Sequence, residues 1–214
     1  YWYTYLEDGT PTWYQAVASV PGPTQAAWWA PLQRINWDGV SVNAVTTVGE
    51  VLLTPINATD FMFSWHLYGT SGSEHFTPLA LNECVNVDGA QTDLNGQWFA
   101  PAQSGYGMDV LALSRLQFNA FYFYDSLGQP VWAVGESEPF SASSTAQMLQ
   151  YTGFCPLCAF TSTTTRPIGT LMTNYTNAFS GSYAANLNLL PPLSGAWNIN
   201  QPIARLTGKA TCPP

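Results

Sequence analysis

The sequence predicts an all-β protein made of two related antiparallel repeats, each a small up-and-down barrel or coiled sheet. The first copy lacks its opening strands. Three observations carry this. First, "DFMFSWHLYG" alternates Phe61, Phe63, Trp65 and Leu67 with Met62, Ser64, His66 and Tyr68, the period of two expected of a strand with one buried face. Second, charged residues are only 8% of the chain while hydrophobic residues reach 46%. Exposed amphipathic helices usually carry Glu and Lys, so that surface suits β-structure. Third, "YWYTYLEDGTPTWY" at the start returns as "FYFYDSLGQPVWAV" at an offset of 119.

The repeat sets the domain organisation. Tyr3 aligns with Tyr122, Tyr5 with Tyr124, Gly9 with Gly128, Pro11 with Pro130 and Trp13 with Trp132. "VGEVLLT" from Val48 aligns with "IGTLMT" from Ile168, and "NATD" at Asn57 with "NYTN" at Asn174. "FTPLALNEC" and "IARLTGKATC" then place Cys84 opposite Cys212. Landmarks in one order over such a stretch are the signature of an internal repeat. The expected division is an incomplete first repeat at 1–85, a linker at 86–95 and a complete second repeat at 96–214. About two strands of the first copy, the counterpart of "LNGQWFAPAQSGYGMDVLALSRLQFNA", have no match upstream of Tyr1, so the expectation is either a longer parent polypeptide or strands that come from elsewhere.

Taken in order, further strands are expected at "SGYGMDVLAL", "FNAFYFYD", "PVWAVGE", "IGTLMT" and "SGSYAANLNL". Gly, Pro, Asp and Ser punctuate them, as in "EDGTP" and "LGQP", and the second of these is short enough for a hairpin. Seven to eight strands in the complete repeat would close a barrel, which removes sticky sheet edges.

These residues resemble repeats of secreted and surface proteins of Gram-negative bacteria. Those repeats run G-x-W-x-x-P-x-x-S-G-x-G, an aromatic strand, Y-D-x-x-G-x-P-x-W and a closing R-L-T…C. Here they correspond to "GQWFAPAQSGYG", "FYFYDSLGQPVWAVG" and "ARLTGKATC". The first copy departs from the pattern at "FTPLALNEC", where Arg-Leu-Thr is missing. The resemblance implies bacterial secretion and β-structure, and no settled activity. The "GQWFAP" opening also resembles the first strand of avidin-like and lipocalin-like barrels.

Charge and cysteine usage narrow the function classes. Five basic against thirteen acidic residues give a net charge of −8, with no basic cluster for nucleic acid or an anionic membrane. No apolar run approaches the roughly 20 residues of a membrane helix. Four Cys point to an oxidising compartment, hence a secreted or cell-surface protein. Cys155 and Cys158 have CxxC spacing but precede "AFTSTTTRP" rather than a helix, so a local structural disulfide is expected where the second repeat runs longer. Cys84 and Cys212, ending equivalent repeats, then pair by elimination.

No constellation predicts a reaction. His66 and His75 lack a G-x-S-x-G partner, and Ala102 stands where the first Gly would precede Ser104. Asp109, Asp125, Glu136 and Glu138 are the carboxylates a hydrolase would draw on, while Asp8 and Asp125 read as turn residues. "CVNVDGAQTDLNG" fails the EF-hand pattern, so neither metal nor other cofactor is expected. The expectation is a non-catalytic recognition or assembly protein, with a glycan-binding barrel and a carboxylate hydrolase as alternatives. Binding, if present, would use Tyr3, Tyr5, Trp13, Tyr122, Tyr124 and Trp132 around the matched hairpins, because such rings stack on sugars and anchor interfaces. Partners would be another copy, a donated strand at the edge near Tyr1, or a glycan.

Overall fold

The computed structural model describes residues 1–18, 27–57, 59–208 and 212, and all its regular structure is β. Strands β1 (Trp2–Tyr5), β2 (Pro11–Ala16), β3 (Trp28–Trp37), β4 (Val42–Pro55), β5 (Phe61–Leu67) and β6 (Thr70–Phe76) form a six-stranded meander in chain order. Strands β7 (Val85–Val87) and β8 (Ala90–Thr92) make a separate hairpin. The last eight strands are β9 (Gly96–Phe99), β10 (Gly107–Leu113), β11 (Leu116–Tyr124), β12 (Pro130–Ser137), β13 (Ser143–Thr152), β14 (Thr164–Tyr175), β15 (Ser180–Asn188) and β16 (Ala196–Arg205). They close into an antiparallel barrel, β16 pairing back onto β9.

The turns confirm the repeat and correct one alignment. Leu6 N–H bonds to the Thr10 carbonyl and Gly9 N–H to Leu6, just as Asp125 bonds to Gln129 and Gly128 to Asp125, at the offset of 119. At the β4–β5 turn, Asn57 N–H reaches the Asp60 carbonyl and its side chain accepts from Thr59 N–H. The matching turn has Asn177 N–H on the Ser180 carbonyl and its side chain accepting from Phe179 N–H. Asn57 therefore corresponds to Asn177, not Asn174, which lies within β14. An Asn side chain that closes a turn is a better landmark than a shared sequon.

The segment expected as a linker is folded. Asp88 (φ 49°) and Gly89 (φ 84°) form the two-residue turn of the β7–β8 hairpin, the Asp-Gly pair favoured where both central residues need positive φ. Val85, Val87 and Leu94 are buried in the same core as the barrel. Arg205, in the closing "ARLT", bonds to Asp93 at 2.8 Å with both side chains almost fully buried, and so ties this segment to β16. Strands β3 and β13 carry no clear alternation of apolar and polar residues. Pro31 interrupts the former and Ser, Thr and Gln dominate the latter, so their place is set by their neighbours.

Both cysteine pairings are as expected, Cys84–Cys212 and Cys155–Cys158. The second lies in the connection between β13 and β14 (153–163), which is longer than the equivalent β3–β4 connection (38–41).

Two cores result. Inside the barrel, Phe121 and Phe123 of β11 meet Tyr183 of β15 and Trp197 of β16 edge-on. The concave face of the six-stranded sheet gathers Tyr14, Leu32, Val51, Phe63 and Trp65, with Trp2 packed against them. Between the two lies a third layer. Strand β11 is buried on both faces because its outward residues Tyr122 and Tyr124 pack under β1 and β2. That explains why "FNAFYFY" is nearly continuous in apolar residues rather than alternating.

Candidate functional site at the open edge of the first repeat

The contact between the repeats has an approximate two-fold symmetry. Trp13 Nε1 donates to the Phe123 carbonyl at 3.1 Å, and its counterpart Trp132 donates to the Thr4 carbonyl at 3.0 Å. Thr4 is the residue 119 before Phe123, so the two bonds exchange under the repeat operation. Tyr124 lies 5.7 Å from Trp13 and Tyr5 lies 5.5 Å from Trp132, centroid to centroid. The hairpin glycines follow the same rule. Trp37 N–H donates to the Gly128 carbonyl and Gly153 N–H to the Gly9 carbonyl, both at 3.1 Å. Six rings expected as a ligand surface thus form the joint between the repeats.

Their burial divides them. Trp13, Tyr122 and Tyr124 are at most 2% exposed, enclosed by the two sheets, and offer no ring face to a ligand. Tyr3, Tyr5 and Trp132 also line a cavity of about 550 Å³ beside the outer edge of β1. Its floor is the outer surface of the barrel, with Leu111 of β10, Phe118 of β11 and Val134 of β12, and Leu79 covers one side. Tyr151 stacks on Trp132 at 5.6 Å. Most of the lining is apolar; beside the tyrosine hydroxyls its polar residues are Thr163 and Asp109, whose carboxylate accepts from the Tyr3 hydroxyl.

The edge above this cavity is unpaired. Among the described residues β1 hydrogen-bonds as a strand only to β2, and β6 only to β5. In the closed copy the strand equivalent to β1 is β11, which pairs with β10 on that side in the register Gly107↔Tyr122 and Asp109↔Ala120. Strands β9 and β10 are therefore what the six-stranded sheet lacks.

The electrostatics favour hydrogen bonding over proton transfer. Burial raises the Asp109 carboxyl above the usual range, against the opposing bonds from Tyr3 and Gln97. Burial, then the nearby Asp109, holds the Tyr3 hydroxyl well above its ordinary value, and burial beside Tyr151 pushes Tyr5 up to about 12. These phenols remain neutral donors at physiological pH.

The other candidates are dispersed. The Asp125 carboxylate accepts from Leu127 and Gln129 N–H, and that of Asp8 from Thr10, as turn residues should. His66 Nδ1 lies 2.9 Å from the Ser71 hydroxyl, and His75 is 3.9 Å from Asp60. A second cavity, about 560 Å³, opens at one end of the barrel between Trp37, Tyr106, Trp197 and Gln103. Residues 118, 134 and 151 were not legible as site residues, since only the stacking of one repeat on the other brings them beside β1. No family model, curated protein or solved structure matches this chain.

Proposed function

We propose that this is a non-catalytic extracellular β-repeat module of the Gram-negative secreted kind, acting in assembly or surface recognition by accepting further strands at its open repeat. One observation carries the reading. The same chain holds a closed eight-stranded barrel and a six-stranded copy of it whose two end strands have no strand on their outer sides among the described residues. Unpaired N–H and C=O groups on an edge strand are a ready template for another strand. Two disulfides are compatible with an extracellular protein. The test is hydrogen exchange of β1 and β6 amides across a concentration series and with candidate binding partners. Protection that grows at both edges on association supports the reading, and edges that stay fast-exchanging in every complex overturn it. Glycan binding is the second reading, favoured by the aromatic and amide lining at the barrel mouth.

A further inference from the structure

We infer that the cavity at the mouth of the closed barrel binds an uncharged sugar, a neutral pyranose unit of a glycan, stacked on Trp197 and hydrogen-bonded by Gln103 and Asp125. The inference rests on the glycan reading above and specifies its ligand.

The cavity, about 560 Å³, falls within the range of about 300–1,000 Å³ usual for small-ligand sites. Four segments meet there. The β3–β4 connection brings Asp38, the β9–β10 connection Gln103, the β11–β12 hairpin Asp125, and β16 Trp197 and Asn198. Trp197 is half-buried and its ring is held in place. Its Nε1 donates to the Tyr124 carbonyl at 2.6 Å, and the ring packs edge-on against Tyr106 and Phe123. A fixed ring that keeps some open surface suits the apolar face of a pyranose.

The polar groups decide the ligand's charge. Gln103 Oε1 accepts from the Tyr106 hydroxyl at 2.8 Å and from Gln201 Nε2 at 2.9 Å. Its oxygen is thereby occupied and its NH2 is left as a donor. Asp125 Oδ1 accepts both turn N–H groups, from Leu127 and Gln129, while Oδ2 takes no bond among the described residues. Bonds from the Ser41 and Val40 N–H groups hold the Asp38 carboxyl below its usual range, so it is ionised at neutral pH. No basic side chain lines the cavity. An anionic ligand would face two carboxylates with no cation to offset them. A cationic ligand brings only donors and leaves the Gln103 NH2 unmatched. A hydroxyl both donates and accepts, so a neutral polyol serves the carboxylate oxygen and the amide NH2 in one site.

The other repeat shows that the fold does not impose this lining. Asp125 corresponds to Leu6, and Trp197, opposite Leu187, corresponds to Thr70, opposite Leu67. Leu6 and Thr70 line a hollow of about 300 Å³ in which the β13–β14 connection contributes Pro156 and Leu157. That hollow has no side-chain amide in its lining, and Glu7 is its single carboxylate. The polar set therefore belongs to the barrel mouth alone.

The test titrates the whole protein with neutral disaccharides of glucose, galactose and mannose, and with their glucosamine and glucuronic acid analogues. NMR of the indole and side-chain amide N–H groups reports binding and its place. The expected result is saturable shifts at Trp197, Gln103 and Asn198 with at least one neutral disaccharide, and binding about tenfold or more weaker for both charged analogues. Gln103→Glu keeps an acceptor for Tyr106 and Gln201 but removes the NH2, and should weaken binding about tenfold or more. Asn198→Ala, at the exposed rim, should weaken it by a smaller factor. If a charged analogue binds as well as the neutral sugar, the uncharged requirement is wrong although a sugar site stands. If both variants bind like the parent protein, the site is not at the barrel mouth. If no saccharide shifts these resonances at millimolar concentration, the glycan reading itself fails.

Discussion

The two repeats share their turns and their aromatic strand, yet one closes and the other stays open. At the joint they are nearly interchangeable. Each tryptophan after the hairpin donates to a carbonyl of the other repeat, and each hairpin glycine receives an N–H from the other. Away from the joint they diverge. The barrel adds β9, β10 and the Arg205–Asp93 pair, whereas the first sheet stops at β1 and β6. A sheet of six strands can therefore be held in shape by a neighbour of the same kind without closing on itself. The joint buries the outer face of β1 and β2, and their inner face packs on Phe63 and Trp65, so neither face depends on closure. What closure alone would add is pairing at the two edges.

The largest expected effect comes from cutting the link between the repeats' ends. Cys84–Cys212 closes a loop with a sequence separation of 128, whereas Cys155–Cys158 spans 3. Chain-entropy reasoning gives about 5 kcal/mol for the first and about 2 for the second. Urea unfolding of Cys84→Ser/Cys212→Ser and of Cys155→Ser/Cys158→Ser should rank them in that order. Equal losses would mean the long bridge does not restrain the unfolded chain.

The hairpin glycines test the symmetry of the joint itself. Both have positive φ, 72° at Gly128 and 82° at Gly9. A Cβ at Gly128 would lie 1.8 Å from the Trp37 carbonyl oxygen, and one at Gly9 2.9 Å from that of Gly153. Gly128→Ala should therefore cost about 3 kcal/mol and Gly9→Ala about 2. The thermal midpoints of the two variants check this. A larger loss at Gly9 would show that the repeats are held more tightly at the other hairpin.

The smallest effect is a pH dependence confined to the open edge. Asp109 has its carboxyl raised by burial, so the folded state favours the protonated form. Its contribution is fully present below the ordinary carboxylate range and is lost as pH rises through the raised value. Asp109→Asn should leave stability near about pH 3 unchanged and raise it toward neutrality, which urea midpoints across that range would show. A variant less stable toward neutrality would mean that the charged carboxylate, with its bond from Tyr3, supports the fold.

The sequence by itself determined the β class, the offset between copies, the two disulfides and the role of Asp8 and Asp125. Each of these depends on local chemistry: period-two alternation, turn residues and the count of cysteines. The Asp-Gly hairpin at 88–89 was also written locally, although the segment reads as a linker until the burial of Val85 and Leu94 is seen. Only the tertiary structure decided what the aromatic residues do. The nearly continuous apolar run around Tyr122 and Tyr124 carries no alternation to say which rings leave the barrel interior, and an outward ring can face solvent, a ligand or another sheet. The packing of the first repeat on the second settled that choice, burying Trp13, Tyr122 and Tyr124 and leaving Tyr3, Tyr5 and Trp132 against a cavity. A contact between residues more than a hundred positions apart depends on how two surfaces fit, and no local pattern records that fit.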